Sequence, residues 1–322
     1  MANPAATTTT AKVRDVLVRA LSTDLKVEVA ETTHRGHARE LGEQARTDGV
    51  DVVVTLGGDG TVNETVNGLL SDGPGPEVPT LAVVPGGSTN VFSRALGRSR
   101  DPVEATAEIL DSLRAGRTRR VSLGTASAQV VVPGAGGDVE WGTGWTAPRW
   151  FVFSAGLGFD ADVIRRVEEQ RARGRRSTGA LYVRAGTRAF LVGPDRRRPA
   201  LTLHVPGEEP VGGLFLCLVS NVSPWTYLGD RPIVPSPEAA FDNGLATFAL
   251  GRLGAVRMLR HLRATMAREP DPRGRGLHRR HDLTELEITS TRPQGWQLDG
   301  DHLGPATGLR IRNVRAALDV VV

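Results

Sequence analysis

Two short glycine runs hold the residues best suited to chemistry. The first is Gly57-Gly58-Asp59-Gly60-Thr61 and the second is Pro85-Gly86-Gly87-Ser88-Thr89-Asn90. Glycine lets the backbone turn sharply and come close to a ligand. A helix that starts at such a turn presents unsatisfied N–H groups, which suit an anion. One PGG run would say little, but two glycine turns at neighbouring strand ends would face one crevice. Open α/β sheets take their ligands at that place. Thr61-x-x-Glu64 also has the spacing of a capping box, which predicts a helix opening at Thr61.

The elements around these turns read as an α/β unit. Residues 51–56 and 80–84 are short, nearly all-apolar runs, as expected for parallel strands covered on both faces. Helical spacing runs over 10–21, 34–47, 61–70, 88–96 and 101–115, and residues 26–30 alternate as a strand. Strands alternating with helices imply a parallel sheet. Such a unit should open on a strand. This chain opens on Asn3-Pro4 and a helix, so the first strand is expected to be missing.

After about residue 120 the texture changes to short β-like runs. They cover 128–132, 150–155, 201–205, 213–219, 245–250, 285–289, 309–311 and 316–321, mostly separated by Gly/Pro loops. Helices are expected near 161–171 and 180–191, and a hairpin or flexible loop over 133–150. The chain thus divides into an N-terminal α/β domain, residues 1–122, and a β-rich C-terminal domain, residues 123–322.

Composition narrows the chemistry. The 322 residues are 39% hydrophobic and 24% charged, with a net charge of +4, which is ordinary for a globular protein of two domains. Cys217 is the one cysteine, so intrachain disulfides and cysteine-based zinc sites are excluded. It lies in an apolar run and reads as a buried, inert thiol. Lys12 and Lys26 are the only lysines, and neither has P-loop context. The protein-kinase signature set is missing. No run approaches the length of a membrane span, and the N-terminus has no apolar signal core. The expectation is a cytoplasmic protein.

The stretches VVVTLGGDGTVNETVNGLL and LAVVPGGSTNVFSRALG resemble the diacylglycerol kinase catalytic domain, in its bacterial soluble lipid kinase and sphingosine kinase-like branch. Asn3-Pro4, Thr33 with His37-Ala38, FSAGLGFDADVIRRVE at 153–168, FDNGL at 241–245 and LDGD at 298–301 fit the same pattern. The resemblance implies an NAD kinase-like N-terminal nucleotide domain and a sandwich-like second domain, with the active site between them. It implies transfer of the γ-phosphoryl of ATP, with Mg²⁺, to a lipid hydroxyl such as that of diacylglycerol or a sphingoid base. Asp59 then belongs to the nucleotide–magnesium site. Gly57, Gly58, Gly60 and Thr61 would cradle phosphates, with Asn63 and Glu64 nearby. Gly86, Gly87, Ser88, Thr89 and Asn90 would form the other wall, and Asn3 and Thr33 would touch the nucleotide. Asp299 matches the catalytic base. Asp301 stands where the family usually has Glu. Asp242 matches one position of a magnesium-linked acidic network, and Thr247 stands where an acid is common. Phosphoryl transfer depends mainly on positioning and charge neutralisation, which backbone N–H groups and a cation supply without a lysine.

Two other readings share these features. NAD kinases also carry GGDGT, although Asn63-Glu64 directly after it is the lipid kinase pattern. A catalytically weak lipid- or nucleotide-binding regulator is the other. Residues 165–198 hold eleven arginines against three acids, a patch suited to anionic lipid headgroups. The expected partners are therefore a lipid substrate, an anionic membrane surface met peripherally and, on base rates alone, a second copy of the chain. Nucleic acid is not expected, since no binding module and no aromatic interleaving is visible. Residues 222–229 (VSPWTYLG) suit a lipid entrance or ordinary loop packing. His278-x-x-His281-Asp282 reads as an arginine-rich loop with no further metal ligand.

Overall fold

The computed structural model describes residues 1–6, 9–133, 139–141, 144–172, 198–251 and 254–322. The chain forms two compact units. The first comprises Met1–Leu123 together with Arg315–Val322, and the second Gly124–Val314. The last eight residues, expected in the second domain, therefore belong to the first unit.

In the first unit, strands β1 (Val52–Gly57) and β2 (Thr80–Pro85) pair in parallel, from Val52 opposite Thr80 to Gly57 opposite Pro85. Helices α1 (Ala11–Leu21), α2 (His37–Thr47), α3 (Asp59–Leu69), α4 (Val91–Ala95) and α5 (Pro102–Arg114) accompany them. Side chains of Thr10 and Asp101 cap α1 and α5, as their types favour. The core gathers Ala2, Leu17, Leu56, Ala82, Val84, Ile109 and Val321. Val320 pairs with Leu81 in parallel, and Arg120 pairs with Asp319 at 2.7 Å.

The first strand is reduced rather than missing. Ala2 bridges Leu56 on one side and Glu31 on the other, both in parallel. The Met1 amine donates to the Val54 carbonyl at 2.8 Å, and burial lowers its pKa to about 6. Residues 26–30, expected as a strand, do not form one; only Glu31 bridges. A ladder needs a partner along its length, and the stub at Ala2 reaches only one residue of this segment.

The second unit is antiparallel. Strands β6 (Ser154–Gly158), β8 (Val211–Ser220), β11 (Leu245–Gly251) and β12 (Leu277–Leu283) follow one another across its sheet, and β6 also pairs with β13 (Glu285–Leu298). Strand β14 (Asp301–Val321) pairs with β13, and β7 (Leu201–His204) pairs with β13 and β8. Strand β3 (Thr118–Pro133) pairs with β4 (Val139–Trp141) and β5 (Arg149–Phe151), which places a hairpin within 133–150. Strands β9 (Thr226–Leu228) and β10 (Arg231–Ile233) form a small hairpin in the stretch read as a loop. Two helices are described here, α6 (Phe159–Ala172) and α7 (Ala255–Thr265). Helix α7 was not expected. His278 and His281 lie in strand β12 and not in a loop. The helix expected near 180–191 and most of the arginine-rich segment lie outside the described residues. Cys217 is fully buried, and none of the described helices is long and apolar enough to cross a membrane.

Candidate functional site

The two glycine turns leave adjacent parallel strands at the same level, since Gly57 stands opposite Pro85. They are also locked together. The Gly86 N–H donates to the Gly57 carbonyl at 2.7 Å. A Cβ on Gly86 would lie 2.9 Å from the Gly57 Cα, and one on Gly87 2.7 Å from the Gly58 Cα. These glycines therefore first serve backbone-to-backbone packing between the turns. Any ligand approach comes on top of that requirement.

Helix α3 starts at Asp59 with Gly58 as its N-cap, and no side chain caps it. The capping box expected between Thr61 and Glu64 does not form, because both residues lie inside the helix. Each reaches elsewhere. The Asn3 side-chain amide donates to the Thr61 hydroxyl at 2.9 Å, which ties the N-terminal stub to the first turn. Glu64 accepts from the Gly36 N–H at 2.9 Å and so fixes the entry to α2. Thr33 bonds the His37 ring at 3.0 Å and is exposed. Asn63 is buried and accepts from the Asn67 side chain through its carbonyl at 2.9 Å. Asn90, at φ 51, closes the second turn on itself, because its side chain accepts from the Gly87 N–H and donates to the Gly87 carbonyl. Ser88 is exposed and Thr89 half-buried.

Asp59 joins the two turns electrostatically. Its carboxylate accepts from the Phe92 N–H at 3.3 Å, at the start of α4. Burial raises its pKa to about 6, against the opposing pull of backbone N–H groups of Val91, Phe92 and Asn90 and the charge of Arg94.

In the second unit, Leu298-Asp299-Gly300-Asp301 is the tight hairpin between β13 and β14. Asp299 and Gly300 have φ 47 and 82, as a two-residue turn with both centres left-handed requires. Aspartates in such turns usually face water. This one is only 6% exposed. Its carboxylate accepts from the N–H groups of Val152 (2.7 Å), Phe153 (2.9 Å) and Ser154 (2.9 Å), and its own N–H donates to the Ser154 carbonyl. Asp301 is half-buried in the strand beyond.

Around Asp299 lie residues that sequence reasoning passed over. Ser154 opens β6 and stands opposite Ser220, which closes β8. Both are buried, and neither hydroxyl oxygen has a hydrogen-bond partner. Asn221 donates to the Phe153 and Val152 carbonyls and braces the same segment. The available signal was a polar residue at the end of an otherwise apolar strand.

Among the described residues no three His, Cys, Asp or Glu side chains converge to hold a metal. Asp242 is exposed, and buried Thr247 accepts from the Arg280 N–H at 3.1 Å. With one carboxylate at the glycine turns, the donor set fits a cation held mostly by substrate phosphates, as Mg²⁺ commonly is. It does not fit a cation caged by protein.

Residues 1–126 match the family model described as the diacylglycerol kinase catalytic domain. The match is confined to this N-terminal segment of the 322-residue chain. A diacylglycerol kinase of Bacillus subtilis (strain 168) is 39% identical over 106 residues, 33% of this chain and 33% of the relative. The sphingoid long-chain bases kinase 1 of Arabidopsis thaliana is 38% identical over 90 residues, 27% of this chain and 12% of the relative. The matched stretch thus spans about a third or less of these relatives. Among solved structures, a diacylglycerol kinase from Bacillus anthracis str. Sterne aligns with a TM-score of 0.67 at 18% identity, covering 99% of this chain and 94% of that one. An NAD kinase from Archaeoglobus fulgidus in complex with ATP aligns with a TM-score of 0.51 at 13% identity, covering 100% and 92%. The fold is therefore NAD kinase-like, and the segment that matches the diacylglycerol kinase model carries both glycine turns.

Proposed function

We propose that this protein is an ATP-dependent lipid kinase that phosphorylates a lipid hydroxyl, that of diacylglycerol or of a related lipid alcohol such as a sphingoid base. One observation carries the reading: two interlocked glycine turns at adjacent parallel strand ends, beside an uncapped helix, within a diacylglycerol kinase catalytic segment. Backbone N–H groups at the start of α3, with Gly57, Gly58, Gly60 and Thr61, would hold the nucleotide phosphates. Gly86 to Asn90 would form the facing wall, and Asn3 would support Thr61. Asp59 is the carboxylate at the glycine turns that would hold a Mg²⁺ accompanying ATP, and that cation would neutralise charge on the phosphates.

Asp299 is the proposed proton acceptor for the lipid hydroxyl. Three backbone donors hold its carboxylate in one orientation, as a base aimed at one atom requires. Ser154 and Ser220 supply further hydroxyls beside it for an acceptor lipid. Peripheral binding to anionic membranes through residues 165–198 and a cytoplasmic location complete the reading.

The test is transfer of radiolabelled γ-phosphate from ATP into a lipid extract in anionic micelles with Mg²⁺. Wild type should yield a labelled lipid whose mobility identifies the acceptor. Asp299→Asn should yield none, but it also turns an amide N–H₂ toward backbone N–H donors. That costs on the order of 1–3 kcal/mol in stability. Thermal melts must therefore accompany the assay. Label appearing in NAD instead of lipid would replace this reading with an NAD kinase.

A further inference from the structure

Helix α7, AVRMLRHLRAT, is built inside out. Its inward residues are Met258, which packs near Phe159 and Phe215, and the polar His261 and Thr265, at 2% and 4% exposure. Its outward residues include Val256, Leu259 and Leu262, at 84%, 57% and 44% exposure. Among the described residues only four other large hydrophobics are exposed: Val16, Val29, Val50 and Val103, each on a different segment. Among the described residues the one cluster is therefore on α7. Residues three apart form one ridge along a helix, so these three make a continuous apolar line. Arg257, Arg260 and Arg263 follow it one position on and make a parallel basic line. All three arginines are exposed, the helix contains no acid, and none of the three pairs with an acid among the described residues.

We propose that α7 docks flat on an anionic lipid bilayer. Val256, Leu259 and Leu262 enter the boundary between headgroups and acyl chains, and Arg257, Arg260 and Arg263 take lipid phosphates. Helices that lie in a membrane interface pair an apolar ridge with arginines in this way. A second copy of the chain fits less well, since an isologous contact would bring six arginines together. A protein partner fits less well too. The ridge from Val256 to Leu262 is about 9 Å long, whereas stable protein interfaces bury roughly 800 Å² on each side. A bilayer needs no matching shape. The inference stands apart from the kinase reading, because binding is measured without nucleotide.

The experiment is cosedimentation of the full chain with vesicles of phosphatidylglycerol and phosphatidylcholine, and with phosphatidylcholine alone. Wild type should bind the anionic vesicles and not the neutral ones. The triple variant Val256→Ser, Leu259→Ser, Leu262→Ser should bind at least tenfold more weakly at every salt concentration. The triple variant Arg257→Gln, Arg260→Gln, Arg263→Gln should lose roughly 100-fold at low salt, about fivefold for each arginine near the surface, and flatten the salt dependence. All six side chains are exposed, so melting temperatures should not change. As a second readout, Leu259→Cys carrying an environment-sensitive fluorophore should shift to the blue on the vesicles. The proposal fails if wild type ignores anionic vesicles, or if the apolar triple variant binds them like wild type. It also fails if wild type is a dimer that the apolar triple variant converts to monomer.

Discussion

Asp59 shows how one side chain can serve a proposed site and cost the fold stability. Its pKa in the folded protein, about 6, lies above the 3.8 of an ordinary aspartate. The advantage of the protonated form is complete below pH 4 and is lost as pH rises through 6. Above that range the buried charge costs roughly 2 kcal/mol, once its partial exposure is discounted. Asp59→Asn should therefore melt above wild type at pH 7 to 8 and close to it at pH 4. An offset that does not change with pH would show that Asp59 titrates normally. The variant should also lose phosphoryl transfer, so a gain in stability would accompany a loss of activity. Ser154 gives the complementary case. Its hydroxyl is buried without a partner, so Ser154→Ala removes no hydrogen bond. Its melting temperature should match or exceed that of wild type, while turnover of lipid falls tenfold or more if the acceptor hydroxyl binds there. Unchanged turnover would remove Ser154 from the acceptor site.

At the scale of elements, the contact between α2 and α3 holds the first glycine turn in place. A Cβ on Gly68 would lie 2.1 Å from the Arg39 carbonyl oxygen and 2.9 Å from the Glu43 nitrogen. Alanine favours a helix over glycine by about 1 kcal/mol, but displacing α2 costs typically 1–3 kcal/mol or more. Backbone on backbone lies at the high end, so Gly68→Ala should destabilise by about 2 kcal/mol in urea unfolding. A stabilised variant would mean that the helices can slide. Residues 51–56 and 80–84 were legible as strands because burial on both faces leaves them nearly all apolar. The glycine turns were legible as a pair for the same reason. The capping box was misread because Thr61 and Glu64 serve neighbours 58 and 28 residues away, which spacing along one helix cannot show. The Asp299 turn was read through resemblance alone, and its grip on residues 152–154 depends on pairing across 145 or more residues. Helix α7 was overlooked although Val256, Leu259 and Leu262 recur at helical spacing, so periodicity alone could have found it.

At the scale of the molecule, the chain returns to where it began. Leu318, Val320 and Val321 are buried in the first unit, more than 190 residues after β3 leaves it. Removing residues 318–322 should therefore expose the backbone of residues 81–84 and speed its hydrogen exchange at least tenfold, with strands β8 and β11 unaffected. Equal acceleration in both units would mean that they unfold together. The single thiol offers a different use of the same architecture. Cys217 sits in β8 with no exposed surface, between Leu157 of β6 and Ala249 of β11. A thiol reagent can reach it only when those strands part. Its labelling rate is then a native stopwatch for the opening of the second unit, with no mutation needed. Any cysteine introduced at the surface reacts first and can be read separately.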